Sequence, residues 1–226
     1  MKKTLSVLLA VVLIVAISVA GTLAYLKDTS DPVINTFKSG DLVVDNFVLT
    51  EHLIDDAKTE ADGTYHLSET ETGPSNEYTV IPGVDIPKDP FIEVETSEIA
   101  YLFITVDDQL PEDEAGNHPI WKVDNNWEPL KGKGGAPVQL NGKPVYVWKN
   151  TEAEADADAN ILPAGKYTDD KTINIIAEQN ITVPGAYDVS KLTTAGKTLS
   201  FNAYICQASS FTDAADAWQN NFAPQP

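Results

Sequence analysis

The chain has 226 residues with 34 acidic and 15 basic side chains, no arginine, and a formal net charge of −19. A phosphate binder needs a basic patch, so nucleic acid and anionic lipid are excluded as partners. The acidity suits solubility outside a cell, with sensitivity to divalent cations as the functional alternative. One cysteine, Cys206, rules out an intramolecular disulfide, so packing and strand pairing must hold the fold.

At the N-terminus Lys2 and Lys3 precede an apolar run over residues 5–20, broken only by Ser6 and Ser18, and small residues follow at Ala20, Gly21, Thr22 and Ala24. This is the layout of a secretory signal. A short apolar helix enters the bilayer, its lysines stay on the cytoplasmic side, and a peptidase needs small residues to reach extended backbone. Residues 1–24 are therefore expected to be a signal peptide, cut at Ala24 or Tyr25, with Ala20 as the alternative. No charge lies between Lys3 and Lys27, so the other outcome is a span that stays uncleaved, which would be the only membrane contact. Either way the remaining residues, about 200, lie outside the cytoplasm, and one β-sandwich fills that length.

Residues 25–40 are polar with isolated apolar side chains at Leu26, Val33, Ile34 and Phe37, and Asp31-Pro32 interrupts them. They read as a flexible leader containing a short strand. Residues 41–50 predict the first core strand, with Val43, Phe47 and Leu49 on one face and Asp45 as an exception on it. Residues 51–76 read as an acidic loop with a short hairpin around 65–67. Pro82, Pro87 and Pro90 then predict an extended edge or crossover that feeds residues 91–96. The clearest sheet signal is residues 91–96 with 100–106. Glu93 and Glu95 require water, so Ile92 and Val94 face inward, and the short link 97–99 predicts an antiparallel hairpin.

Residues 107–115 form an acidic loop, followed by aromatic-rich strands at 120–123, 127–130 and 145–148, with an Asn141-Gly142 hairpin turn before the last. Residues 151–160 alternate alanine with acids and predict an exposed helical turn. A strand over 172–178, a turn at Val183-Pro184-Gly185 and a last long strand over 199–205 come next. Leu199, Phe201, Ala203 and Ile205 point inward, and Cys206 reads as a small buried side chain. Thr212 is the expected N-cap of a closing helix that reaches residue 220. Short strands between Gly, Pro and Asn turns predict an all-β, antiparallel two-sheet sandwich over residues 41–226, with a few short helices.

Enzyme chemistry finds no constellation, so no catalytic residue is assigned. His52, His66 and His118 are placed in polar loops, and none belongs to an HExxH helix. Asp156, Asp158 and Asn160 imitate the start of an EF-hand loop, but Ile161 stands where glycine belongs and Tyr167 where the bidentate glutamate belongs. Asp107, Asp108, Glu112, Asp113 and Glu114 would be the donors if a calcium ion were held; a solvated charge run is the expected state, and no cofactor is assigned. Trp121, Trp127, Trp148 and Trp218 read as core, with a carbohydrate groove as the alternative.

Three stretches carry a resemblance. GTLAYLKDT followed by NTFKSGDLVV, then VIPGVDIPKDPFIEVE over residues 80–95, and LSFNAYICQASSF over residues 199–211, resemble the TasA/camelysin family of secreted matrix proteins of Gram-positive bacteria, which a dedicated signal peptidase processes. The resemblance implies a jelly-roll-like sandwich and assembly into biofilm-matrix fibres. In that mechanism a leader freed by the peptidase, here carrying Leu26, Val33, Ile34 and Phe37, completes an open sheet edge of the next subunit. The implied partners are further copies of the chain and accessory matrix proteins. The family's metalloprotease attribution finds no support, because Glu51-His52 lacks a second histidine one helical turn on. The competing reading is a monomeric surface adhesin or a module that binds glycan or protein through the tryptophan-bearing middle segment.

Overall fold

The structure, a computed structural model, describes residues 27–30, 44–60, 62–151, 158–167, 172–193 and 198–223. The predicted signal peptide, its processing positions Ala24 and Tyr25, and the leader residues Leu26, Val33, Ile34 and Phe37 lie outside the described residues, as do residues 152–157 of the alternating acidic segment.

Strands, numbered in chain order, form two antiparallel sheets packed face to face. The larger sheet runs β1 (Lys27–Ser30), β14 (Leu199–Gln207), β6 (Ala100–Asp108), β9 (Lys143–Trp148), β7 (Trp127–Pro129), with β10 (Ile161–Leu162) on β6 and β8 (Gln139–Leu140) on β9. The smaller runs β11 (Gly165–Tyr167), β5 (Phe91–Thr96), β2 (Val44–Ile54), β3 (Leu67–Gly73), with β12 (Ile173–Asn174) on β5. A two-stranded ribbon pairs β4 (Ile86–Pro87) with β13 (Asn180–Ile181). The chain is thus an all-β sandwich, and helix α1 (Ala214–Asn221) closes the outer face of the larger sheet.

The strongest apolar alternation in the sequence becomes the central strand. On β6, Leu102, Ile104 and Val106 face the smaller sheet and pack with Ile92, Val94, Ala203 and Ile205. Tyr101 and Phe103, on the other face, lie under α1 with Val145, Val147, Tyr204 and Cys206. Helix α1 buries Ala214, Ala217, Trp218 and Asn221, a stripe at helical spacing. Trp218 sits at the centre of this second core, with ring centroids 5.2 Å from Phe103 and 5.3 Å from Tyr204. Among the described residues no helix is long and apolar enough to cross a membrane.

Several expectations are corrected. Residues 91–96 and 100–106 are not a hairpin, since β5 belongs to the smaller sheet and β6 to the larger. A hairpin would set their apolar residues side by side, whereas the link 97–99 crosses the sandwich and sets them face to face in one core. β2 extends to Ile54 and pairs with β3, in place of the predicted loop and hairpin. The residues of β3, LSETETG, are polar because an edge strand with four exposed residues has no apolar face to declare. A bulge between Val44 and Asn46 shifts the alternation, so Val44 packs inward with Phe47 and Leu49. The strand expected over 172–178 stops after Asn174, and Glu178 and Gln179 reverse the chain at φ of 59° and 51°. Residues 120–123 make only two isolated bridges, Ile120 to Thr182 and Val123 to Ile176. The N-cap of α1 is Asp213, not Thr212; its side chain accepts from the Asp216 amide at 2.7 Å.

The Asn141-Gly142 turn forms as expected. Both residues have positive φ, 53° and 82°, the geometry that lets a two-residue loop follow the twist of β8 and β9. Trp218→Ala should lower unfolding free energy by about 3–5 kcal/mol, the range for emptying a buried aromatic site, while Ile120→Ala, altering a side chain 55% exposed, leaves it within about 0.5 kcal/mol. Denaturant titration reads both; equal midpoints would place α1 outside the cooperative fold.

Candidate assembly edge

β14 is paired along one edge with β6 over its full length, from Leu199 opposite Asp108 to Gln207 opposite Ala100. Its other edge meets β1 in four pairs: Lys27 with Cys206, Asp28 with Ile205, Thr29 with Tyr204 and Ser30 with Ala203. These four lie within the buried stretch of β14, which continues to Gln207. An open edge there would leave backbone N–H and C=O groups unpaired beside two apolar cores, so something must cover it. From Leu199 to Asn202 the strand is less buried, and among the described residues no strand pairs with that edge.

The covering strand is the sequence KDTS, which offers main-chain hydrogen bonds and no large apolar side chain. Each such bond adds about 0.5–1.5 kcal/mol net, so four residues hold weakly. The paired segment falls inside the predicted leader, between Leu26 and Val33 rather than on the apolar residues singled out. Apolar spacing could not find it, because its role is carried by backbone.

β1 also approaches β2. There the smaller sheet is open as well: β2 pairs with β5 from Val44 to Thr50, and among the described residues its opposite edge is paired only further on, by β3 at residues 51–54. On this flank the larger sheet thus ends in the short strand β1, close to the part of β2 that β3 leaves unpaired. β3 itself exposes Glu69 and Glu71, a charged edge that resists pairing with another sheet.

A largely buried polar cluster fixes this end of β2. Glu51, 2% exposed, meets Lys88 at 2.5 Å, and His52 Nδ1 meets Asp89 at 2.6 Å while the His52 amide donates to the other Asp89 oxygen at 3.1 Å. Tyr78 donates to the Pro87 carbonyl at 2.7 Å, and burial, with Glu51 and Asp89 nearby, pushes its hydroxyl above the usual range. Two adjacent residues of β2 thus clasp two adjacent residues of the proline segment. His52 belongs to a strand, not to the polar loop expected. His66 pairs with Glu60 at 3.3 Å, and His118 donates from Nε2 to the Leu110 carbonyl at 2.9 Å.

Of the acidic groups considered as calcium donors, Asp107, Asp108, Asp113 and Glu114 face protein donors. Asp107 meets Lys143 at 2.8 Å, Asp108 accepts from the Trp121 indole at 2.8 Å, and Glu114 meets Lys191 at 2.9 Å. Asp158 accepts from the Tyr101 hydroxyl at 2.8 Å and the Asn160 amide at 2.9 Å, which anchors the loop before β10. Among the described residues no three His, Cys, Asp or Glu side chains converge as a metal set. Cys206 is fully buried, and burial pushes its thiol far above the usual value. Trp127, Trp148 and Trp218 are core; Trp121 is half-buried.

Asp113 organises the acidic loop. It accepts from the side-chain amide of Asn117 at 3.0 Å and from the backbone amides of Asn117, Asp188 and Ala115, and these bonds hold its carboxyl down at about 2. A carboxyl that is more acidic folded than unfolded adds stability above its unfolded value near 4 and loses it as pH falls from there toward 2. Asp113→Asn should therefore be less stable at neutral pH and show a flatter fall across that window in acid-unfolding curves; an unchanged slope would remove this role. Comparison with protein-family models, with curated proteins and with solved structures gives no match.

Proposed function

We propose that this chain is a secreted structural protein that assembles into extracellular, biofilm-matrix fibres by exchange of its N-terminal strand between subunits. The observation that carries the reading is β1: a segment of the leader, which is expected to follow an export signal, pairs with β14 along its buried residues Ala203–Cys206. Any copy of the chain can supply that strand. The contact is the same in cis and in trans, so the choice is set by the freedom of the connecting segment and by protein concentration. Residues 31–43 join β1 to β2 and, fully extended, span at most about 45 Å, enough to reach a neighbouring sandwich.

Donor and acceptor are different surfaces of one molecule, so each added copy leaves a new edge open and growth does not close. The resemblance to the TasA/camelysin family in the leader, the proline segment and β14 points the same way. Partners are then further copies of the chain and accessory matrix proteins, outside the cell. A second reading, a monomeric surface module, is favoured by one observation, an aromatic cleft at Trp121.

Electron micrographs of the protein exported by a secreting host should show filaments. The same chain carrying a folded tag ahead of Lys27 should show none. Equal filament formation by both would remove strand exchange, and dispersed particles from both at high concentration would favour the monomeric module.

A further inference from the structure

We propose that the cleft beside Trp121 binds a neutral oligosaccharide built of hexopyranose units. The inference stands on the cleft alone and is independent of the assembly reading. The cleft has a volume of about 510 Å³, within the range of small-ligand sites, and opens where residues 118–123 pass β9. Its apolar surface comes from Trp121, Tyr146 and Ile120, and its polar groups from Asp108, His118 and Lys122. Ile120, 55% exposed, is the more exposed of the two large apolar side chains left in water among the described residues.

The wall is built before any ligand arrives. Trp121 is half-buried and held at two points: its indole N–H donates to Asp108 at 2.8 Å, and its ring meets Phe201 edge-on, 5.9 Å away at 89°. Ile120 and Thr182 exchange backbone hydrogen bonds at 2.8 Å in both directions, so the segment that presents the ring is fixed. An immobilised aromatic ring loses little freedom when a ligand stacks on it, which is what makes such rings useful platforms.

Charge and polarity select the ligand class. The acidic chain and the Asp108 carboxylate disfavour an anion, while Lys122 in the same wall offsets Asp108, so the cleft offers a neutral ligand both a charged donor and a charged acceptor. A purely apolar molecule would bury Asp108 and the imidazole of His118 without new partners. His118 donates from Nε2 to the Leu110 carbonyl at 2.9 Å, so in the neutral ring Nδ1 is an acceptor. A sugar ring matches this mixture. Its C–H face lies on an aromatic ring while its hydroxyls donate to Asp108 and His118 and accept from Lys122.

The test is titration of the full chain with cellohexaose and, separately, with chitohexaose, read by calorimetry and tryptophan emission. Saturable binding of at least one sugar with a change in emission is expected. Trp121→Ala should weaken it about tenfold, the size of one aromatic stacking contact. Trp121 also packs on Phe201, so Ile120→Ser is the second variant; it should weaken binding several-fold with an unchanged unfolding midpoint. No heat or emission change with either sugar at millimolar concentration, wild-type affinity in both variants, or capture of a proline-rich peptide without sugar binding would each overturn the proposal. Filaments are not read in this titration, so its failure leaves strand exchange untouched.

Discussion

The pairing of β6 with β14, in which β6 and the C-terminal half of β14 are covered on both faces, decides where the other elements go. A strand buried on both faces can leave neither apolar side chains nor backbone groups exposed at its edges. β6 meets the requirement inside the larger sheet, with β14 on one side and β9 and β10 on the other. β14 meets it on the β6 side and, along Ala203–Cys206, through β1. The smaller sheet supplies one cover and α1 the other; each apolar side chain so buried contributes about 1.5–3 kcal/mol. With a single cysteine the fold has no covalent staple, and this two-sided packing replaces it.

The same requirement gives the N-terminal leader its meaning. The part of β14 that most needs a partner is closed by four polar residues at the far end of a long connection. Energetically the strand is small, and in the proposed exchange its departure would expose the edge it covers as a template for any strand of the same sequence. β3, by contrast, carries exposed carboxylates on the edge of the smaller sheet, and the Glu51–Lys88 and His52–Asp89 pairs fasten β2 beside it. One flank is closed by a short polar strand and another carries exposed carboxylates, an asymmetry that would suit the linear polymer proposed above.

Much of the core was legible because its signal is local. Ile92 and Val94 inward, the alternation through residues 199–205, the Asn141-Gly142 turn and the burial of Cys206 all follow from side-chain period and turn chemistry. What failed was pairing. Nothing in residues 97–99 says whether the chain turns back within a sheet or crosses to the other one, because that is set by which edges are already taken by β9, β14, β2 and β11. β3 was opaque, and the short strand expected in the leader could not be placed on residues 27–30, for a related reason: an edge strand contributes backbone and can be wholly polar. The cleft at Trp121 was hidden differently, since one tryptophan of four looks like another until the fold leaves it half-covered.

Strand exchange can be read covalently, because the only cysteine lies on the acceptor strand. Cys206 is directly opposite Lys27 in the register of β1 and β14. Opposed residues of an antiparallel pair are separated by about 4.5–5.5 Å between Cα atoms, inside the span a disulfide bridges. A Lys27→Cys variant, assembled, oxidised and run on a non-reducing gel, should give a ladder of disulfide-linked multimers that Cys206→Ser abolishes. Cross-links confined to single chains, with no ladder at any protein concentration, would show that the leader completes only its own sheet and would contradict the account.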